Sequence, residues 1–161
     1  DNEAVVSLPQ ARRLNYADFA VEIDRVAFGL VAIGFGRGDR IGVWSTNNIE
    51  WLVLQMATAR IGAVLVNINP AYRTRELAYA LDKSEIHGIF TIPSFRKSDY
   101  VAMLQELVPE LAGGAWACSS QNRLAIVIGH LRRLVWRAFC VFRGIRGITL
   151  LLQFEGEFCA T

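Results

Sequence analysis

The amino-acid sequence predicts an α/β fold in which alternating strands and helices form part of a layered, mainly parallel sheet. Over residues 1–111, short runs rich in β-branched residues alternate with longer amphipathic segments, and this order is typical of parallel sheets covered by helices. Hydrophobic residues make up 53% of the chain and charged residues 20%, which predicts an ordered, packed protein. The length of 161 residues allows one domain with an adequate core.

The first half of the pattern begins with a short strand, AVVSL, and a turn, PQARR, followed by a helix that Asn15 can cap. Gly34 is placed to end this helix in the left-handed conformation. A buried strand, DRIGVWS, comes next, and Asn47 or Asn48 is expected to start a second helix that Gly62 closes. The apolar residues of the first helix recur at intervals of four and three, which is the period of one helical face: Phe19, Ile23, Val26, Leu30 and Ile33.

The second half of the pattern begins with the strand AVLVNIN. This strand must end before Pro70, because proline has no N–H and moves Asn69 out of the helical region. Thr74 is the predicted cap of the third helix, TRELAYALDKS, and Glu76 lies in the first turn, where the helix dipole favours an anion. A strand, HGIFTI, and a last clear helix, SDYVAMLQELVPEL, complete the alternation.

No motif supplies a catalytic, cofactor-binding or metal-ligating residue. GFGRG (34–38) follows a helix and precedes a strand, the reverse of the order that a dinucleotide-binding loop requires, so a helix cap and tight turn are expected. The sequence contains neither a phosphate-binding P-loop nor a G-x-S-x-G nucleophile motif. His87 and His130 have no cysteine or carboxylate at ligand spacing and are expected to be structural or surface residues.

Several aromatic and amide side chains have both a structural and a functional interpretation. Trp44, Trp51 and Tyr72 could line a ligand pocket, but apolar packing is the simpler expectation for the two tryptophans, which belong to a strand and a helix. Asn67 and Asn69 could orient a ligand, although an asparagine before a proline commonly forms only a turn.

Composition divides the chain into residues 1–111 and residues 112–161. The first segment holds 11 Lys+Arg and 13 Asp+Glu, whereas the second holds six Arg, two Glu and neither Lys nor Asp. The net charge of +2 gives no indication of nucleic-acid binding, and no signal peptide opens the sequence, so a cytoplasmic location is expected. The three cysteines all lie in the second segment, at spacings that suit neither zinc nor a disulfide framework: Cys118, Cys140 and Cys159.

The second segment admits three interpretations. A changed reading frame or a truncation would explain why this segment contains arginine but no lysine. A membrane-surface helix from Leu124 to Phe142 would direct Arg132, Arg133 and Arg137 towards lipid headgroups, although Trp136 interrupts that polar face, and the same arginines disfavour a transmembrane span. The third interpretation is an additional packing element of a divergent protein.

Three segments of the first 111 residues resemble one protein family in order and spacing. They are LNYADFAVEIDRVAFGLVAIG (14–34), the stretch from GRGDRIGVW to LDKS (36–84), and SDYVAMLQELVPEL (98–111). Together they resemble the N-terminal part of AMP-forming acyl-CoA synthetases, which belong to the adenylate-forming enzymes. The strings GDRIGVWSTNNIEW and ARIGAVLVNINPAYRTREL are most similar to the branch that acts on medium- and long-chain fatty acids.

The resemblance implies a two-step ligase. A fatty acid attacks the α-phosphate of ATP in the presence of Mg²⁺, giving an acyl-adenylate and pyrophosphate, and the thiol of CoA then displaces AMP. The family's phosphate loop ending in Pro-Lys-Gly, its later nucleotide-binding motifs and its C-terminal domain have no counterpart in this sequence. The chain is therefore expected to be an N-terminal fragment that is inactive by itself and binds none of ATP, Mg²⁺ or CoA.

Two alternatives stay open. One is a non-catalytic interaction or membrane-surface module that uses the same scaffold with a novel tail. The other keeps the superfamily but changes the acid to an aryl or amino acid.

Overall fold

The computed structural model describes residues 2–109 and the backbone of a short strand at 125–128. The strands are β1 (Glu3–Ser7), β2 (Arg12–Asn15), β3 (Arg40–Trp44), β4 (Val64–Ile68), β5 (Gly88–Thr91), β6 (Ser94–Phe95), β7 (Ser98–Asp99) and β8 (Ala125–Ile128). The helices are α1 (Tyr16–Ala32), α2 (Ile49–Arg60), α3 (Thr74–Lys83) and α4 (Tyr100–Leu107).

Four of the strands form a parallel sheet in the order β4-β3-β5-β8. The chain leaves β3 through α2 to β4 on one side, then passes through α3 to β5 on the other side of β3. The direction of winding therefore reverses between β3 and β5. The predicted α/β class with a mainly parallel sheet is confirmed.

Among the described residues, each face of this sheet carries two helices. α1 and α2 pack on one face and against each other, and α3 and α4 pack on the opposite face. Right-handed crossovers explain the division, because the connections that contain α2 and α3 run in opposite directions across the sheet. The core under α1 and α2 contains Ile41, Val43 and Leu54, whereas the core under α3 and α4 contains Trp44 and Ile89. Neighbouring strand residues thus point to opposite faces.

The predicted boundaries of the first two helices are confirmed. Asn15 caps α1 by accepting a hydrogen bond from the backbone N–H of Asp18 at 2.8 Å, and Asn48 caps α2 in the same way. Gly34, with φ of +96°, and Gly62, with φ of +74°, follow the last residues of these helices in the left-handed conformation. The predicted apolar stripe of α1 lies in or against the first core.

Two predictions about local structure are wrong. Thr74 is not a cap, since α3 begins at Thr74 and Arg73 precedes it; the Glu76 carboxylate accepts from the Arg73 N–H at 3.1 Å, while the Thr74 hydroxyl donates to Glu106 on α4. The run PQARR is a turn only in its first part. Its two arginines begin β2, because antiparallel pairing with β1 outweighs their weak preference for strands. The short β6–β7 hairpin was also not predicted.

Residues 112–161 contribute β8, which pairs in parallel with β5. The proposed membrane-surface helix from Leu124 to Phe142 is therefore wrong at its start, because Ala125–Ile128 is a strand. Its arginines, His130 and the three cysteines lie outside the described residues. Across the part of the chain that the structure describes, no helix is both long and apolar enough to cross a membrane.

Candidate functional site at the carboxyl ends of the parallel strands

A concavity lies where β3 and β5 end, at the point where the winding of the sheet reverses. Ligands of open α/β sheets bind in this place, outside the carboxyl ends of the strands. The concavity is shallow, and its empty space is about 290 Å³ when the adjoining open solvent is included. Its wall is apolar and includes Val43, Leu54 and Phe90, and its polar rim includes Ser45 and Thr91.

The polar groups of the rim are engaged in hydrogen bonds that hold the loop after β3. Asn48 accepts from the Trp51 N–H at 2.7 Å and donates through Nδ2 to Ser45 Oγ at 3.1 Å. Thr91 donates to the carbonyl oxygen of Trp44 at 2.9 Å. Among the described residues, no buried side-chain nitrogen or oxygen lacks a hydrogen-bond partner. The described residues of the rim therefore include no unengaged base or nucleophile. The concavity offers a ligand only its shape and its apolar wall.

The turn between β1 and β2 reaches across to the start of α2, beside the concavity. Gln10 Oε1 accepts from the Ile49 N–H at 2.9 Å, and Gln10 Nε2 donates to Glu50 Oε2 at 2.7 Å. The Arg12 guanidinium lies 3.7 Å from the second carboxylate oxygen of Glu50 and 2.6 Å from Glu22. The charge of Glu50 is thus balanced, and the hairpin fixes the wall of the concavity. No periodic pattern in the sequence indicates these long-range contacts.

The loop after β4 is held by the second core. Trp44 is fully buried, stacks on Tyr100 with ring centroids 3.7 Å apart, and donates to the carbonyl oxygen of Asn69 at 3.1 Å. The Tyr100 hydroxyl donates to the carbonyl oxygen of Pro70 at 2.5 Å, and burial raises the pKa of this phenol above its ordinary value. The Asn69 side chain accepts from the Ala71 N–H at 2.9 Å. The structural interpretations of Trp44 and Asn69 are therefore confirmed.

The other aromatic candidates lie in different places. Trp51 lines the concavity, and its Nε1 lies 3.4 Å from Oδ1 of the exposed Asn67. Tyr72 packs against the second core. The structure brings Trp51 and Asn67 together on one face of the sheet, while Trp44 and Tyr72 belong to the opposite face.

His87 lies at the amino ends of the strands, opposite the concavity. Its Nδ1 accepts from the Arg40 N–H at 3.0 Å and its backbone N–H donates to the Arg40 carbonyl oxygen at 2.8 Å, so the predicted structural role is confirmed. Asp39 Oδ1 lies 3.2 Å from the same ring nitrogen, a proximity that sequence spacing does not reveal. The described residues contain no cluster of three or more His, Cys, Asp or Glu side chains that could hold a metal ion. GFGRG forms a helix end and a turn before β3, as expected.

Comparison with known proteins identifies relatives of this chain. The family model described as "AMP-binding enzyme" matches residues 1–125. The medium-chain acyl-CoA ligase ACSF2, mitochondrial, of Mus musculus is 42% identical over 111 residues, which are 69% of this chain and 18% of that protein. The putative acyl-CoA synthetase YngI of Bacillus subtilis is 40% identical over 111 residues, 69% of this chain and 20% of that protein. The chain thus spans about a fifth of the length of these curated relatives.

Solved structures show the same fold. The N-terminal domain of FACL13 from Mycobacterium tuberculosis superposes with a TM-score of 0.64 at 22% identity, over 83% of this chain and 32% of that one. Apo MatB from Rhodopseudomonas palustris superposes with a TM-score of 0.59 at 27% identity, over 86% of this chain and 26% of that one. The parallel sheet with helices on both faces is therefore the architecture of adenylate-forming enzymes, and the resemblance to acyl-CoA synthetases is confirmed. Since the family model also covers most of the sequence, this chain belongs to the AMP-binding enzyme family.

Proposed function

We propose that this chain is the N-terminal part of an AMP-forming acyl-CoA ligase whose full-length form acts on medium- or long-chain fatty acids. The observation that supports this most directly is the 42% identity to the medium-chain acyl-CoA ligase ACSF2 of Mus musculus over 111 residues. The whole ligase would use ATP with Mg²⁺ to form an acyl-adenylate and CoA to accept the acyl group. Because the acid-binding residues of the family lie later in the chain, an aryl or amino acid stays an alternative substrate.

The described residues would act as scaffold in this ligase. They contain no metal-ligating cluster, and the polar groups around the concavity are already engaged in hydrogen bonds. These side chains do not form a fitting site for Mg²⁺ or for nucleotide phosphates, so no chemical step is assigned to them. The sequence also lacks a Pro-Lys-Gly phosphate loop. We therefore propose that the chain by itself is inactive.

A chimera tests the scaffold role without requiring the remainder of this protein. Residues 1–111 would replace the corresponding segment of the mouse ligase, and octanoate-, ATP- and CoA-dependent thioester formation would be measured. We expect the chimera to retain ligase activity and the isolated chain to have none. A matched chimera with Trp44→Asp should lose activity, because a charge in the second core would disrupt the sheet.

A different experimental result would contradict each part of the proposal. Thioester formation by the isolated chain would contradict its inactivity. A folded but inactive chimera would contradict the proposed equivalence of the scaffolds. If the longer native protein is active with benzoate or an amino acid and inactive with octanoate and palmitate, the fatty-acid substrate is contradicted and the alternative substrate class is supported.

The cellular location also stays a proposal. The mouse ligase carries the word mitochondrial in its name, whereas the Bacillus protein does not. The location that we propose for the longer native protein is the cytoplasm. Fractionation of cells that express the longer native protein would test it, and recovery with mitochondria would contradict it.

A further inference from the structure

His87 closes the amino end of the sheet with two hydrogen bonds to one residue of β3. Its backbone N–H donates to the Arg40 carbonyl oxygen at 2.8 Å, and its ring Nδ1 accepts from the Arg40 N–H at 3.0 Å. In a regular parallel ladder a backbone carbonyl oxygen would accept from that N–H. A titratable side chain therefore takes the place of a ladder carbonyl between β3 and β5.

The same ring nitrogen also lies close to a carboxylate. Asp39 Oδ1 is 3.2 Å from Nδ1 of His87, and the two side chains are 31% and 36% exposed, so both can exchange protons with solvent. A neutral Nδ1 with a free lone pair accepts a hydrogen bond, whereas a protonated Nδ1 can only donate one. The Arg40 N–H needs the lone pair and the Asp39 carboxylate needs the proton, so Nδ1 can bond to only one of them at a time.

Asp39 connects this nitrogen to the turn between α1 and β3. Its second carboxylate oxygen, Oδ2, accepts from the Gly36 N–H at 2.7 Å, while Oδ1 lies beside His87. A hydrogen bond from a protonated His87 to Asp39 would therefore join the turn after α1 to the start of β5.

The other charges around His87 are already paired. Within the part of the chain that the structure describes, the segments that flank His87 also carry the Arg40 guanidinium and the Glu85 carboxylate, and these form an ion pair with each other. On the far side of β5, Gly88 pairs with the uncharged Ala125 of β8. Asp39 is thus the charge that a protonated ring would meet.

We propose that His87 is a pH-sensitive switch at the amino end of the sheet. The neutral ring accepts from the Arg40 N–H, and the protonated ring releases that N–H and donates to Asp39. Histidine is the residue type whose charge ordinarily changes between about pH 5 and 8, so such an exchange needs no extreme condition. This inference does not depend on the proposed ligase activity.

NMR spectroscopy of the full chain from about pH 8 to 5 tests the switch. At the upper limit we expect an unprotonated Nδ1 and a hydrogen-bonded Arg40 amide. On acidification, the Arg40 amide resonance should follow the titration of the His87 ring. The protection of this amide against hydrogen exchange, corrected for the intrinsic rate, should fall by about fivefold, because the hydrogen bond is lost. The Gly36 amide should keep its protection, since it bonds to the other oxygen of Asp39.

Substitutions separate a switch from a static contact. Asp39→Asn keeps an oxygen that can accept from the Gly36 N–H but removes the negative charge, so the transition of the Arg40 amide should move to lower pH. His87→Asn offers the Arg40 N–H an oxygen that does not titrate, so the transition should disappear. His130→Asn, at the other histidine of the sequence, is the matched control and should leave the transition unchanged.

Circular dichroism would verify that the variants are folded, and if His87→Asn is not, wild type and Asp39→Asn are sufficient for the test. Three results would each overturn the proposal. They are an Nδ1 that already carries the proton at about pH 8, an Arg40 amide that stays unchanged while the His87 ring titrates, and a transition that Asp39→Asn does not move.

Discussion

At the scale of single residues, Tyr100 links pH to stability. Burial raises its pKa in the folded chain above the ordinary value of about 10, so folding favours the protonated phenol. Its contribution is complete below pH 10 or so and is lost as the pH rises through the raised pKa of the folded state. We expect the free energy of unfolding to fall by up to about 1.4 kcal/mol per pH unit in that range.

Tyr100→Phe isolates this effect. The variant loses the hydrogen bond to the Pro70 carbonyl oxygen, which should lower the free energy of unfolding by about 1 kcal/mol at neutral pH. It should also reduce the alkaline loss of stability, as measured by urea unfolding at neutral pH and above pH 10. Tyr79→Phe, at an exposed position, is the control. Parallel pH profiles for wild type and Tyr100→Phe would show that Tyr100 is not the responsible group.

Of the two glycines that follow α1 and α2, Gly62 should tolerate a side chain less well than Gly34. Its φ of +74° disfavours L residues, and an added Cβ would lie 3.2 Å from Cγ of Arg37. Gly62→Ala should therefore lower the free energy of unfolding by about 1–2 kcal/mol. Gly36→Ala, where the backbone is outside the left-handed region and no atom lies within 4 Å, should have almost no effect. Equal urea midpoints for the two variants would contradict the backbone explanation.

At the scale of elements, α2 depends on a residue outside itself. Gln10, in the turn after β1, satisfies the Ile49 N–H at the start of α2 and also binds Glu50. Gln10→Ala should lower the free energy of unfolding by about 1–2 kcal/mol, because it removes a helix cap and a hydrogen bond to a charged group. Thermal or urea unfolding would measure the loss.

Leu8→Ala is the matched control for this hairpin, since Leu8 lies in the same turn and is 79% exposed. It should change stability by less than about 0.5 kcal/mol. If Gln10→Ala is equally neutral, the hairpin does not support α2, and the wall of the concavity does not depend on it. The Asn48 cap should remain intact in both variants, because it lies within the loop after β3.

At the scale of the whole molecule, β8 tests the division of the chain at residue 111. This division stays a prediction, and the family model extends beyond it, to residue 125. A chain that ends at residue 129 retains β8, whereas one that ends at residue 111 leaves the fully buried β5 as a sheet edge. The longer chain should be more stable by a few kcal/mol, because each ladder hydrogen bond contributes about 1 kcal/mol. Identical urea unfolding curves would support a boundary at 111.

Local chemistry was sufficient to predict the fold class and most of the elements, although not β2, β8 or the β6–β7 hairpin. The signals that predicted these elements each act over a few residues, so they can be read directly from the sequence. They are the asparagine caps, the glycines after helices, the proline that ends β4 and the apolar period of α1. The order of the strands in the sheet could not be predicted from such local signals. Nothing local states that β5 pairs with β3 rather than with β4, because that choice depends on the handedness of crossovers and on which faces the helices can bury.

The candidate site was decided almost entirely by tertiary structure. Gln10 reaches Glu50 across 40 residues, and Thr91 meets Trp44 across 47. The concavity exists because β3 and β5 end side by side where the winding of the sheet reverses, although their ends are far apart in sequence. Sequence alone determined the fold class, most of the elements and the family, because these follow from patterns among residues that are close together in the chain. Packing decided which side chains share an edge, because hydrogen bonds and apolar burial between distant segments form only when the sheet is assembled.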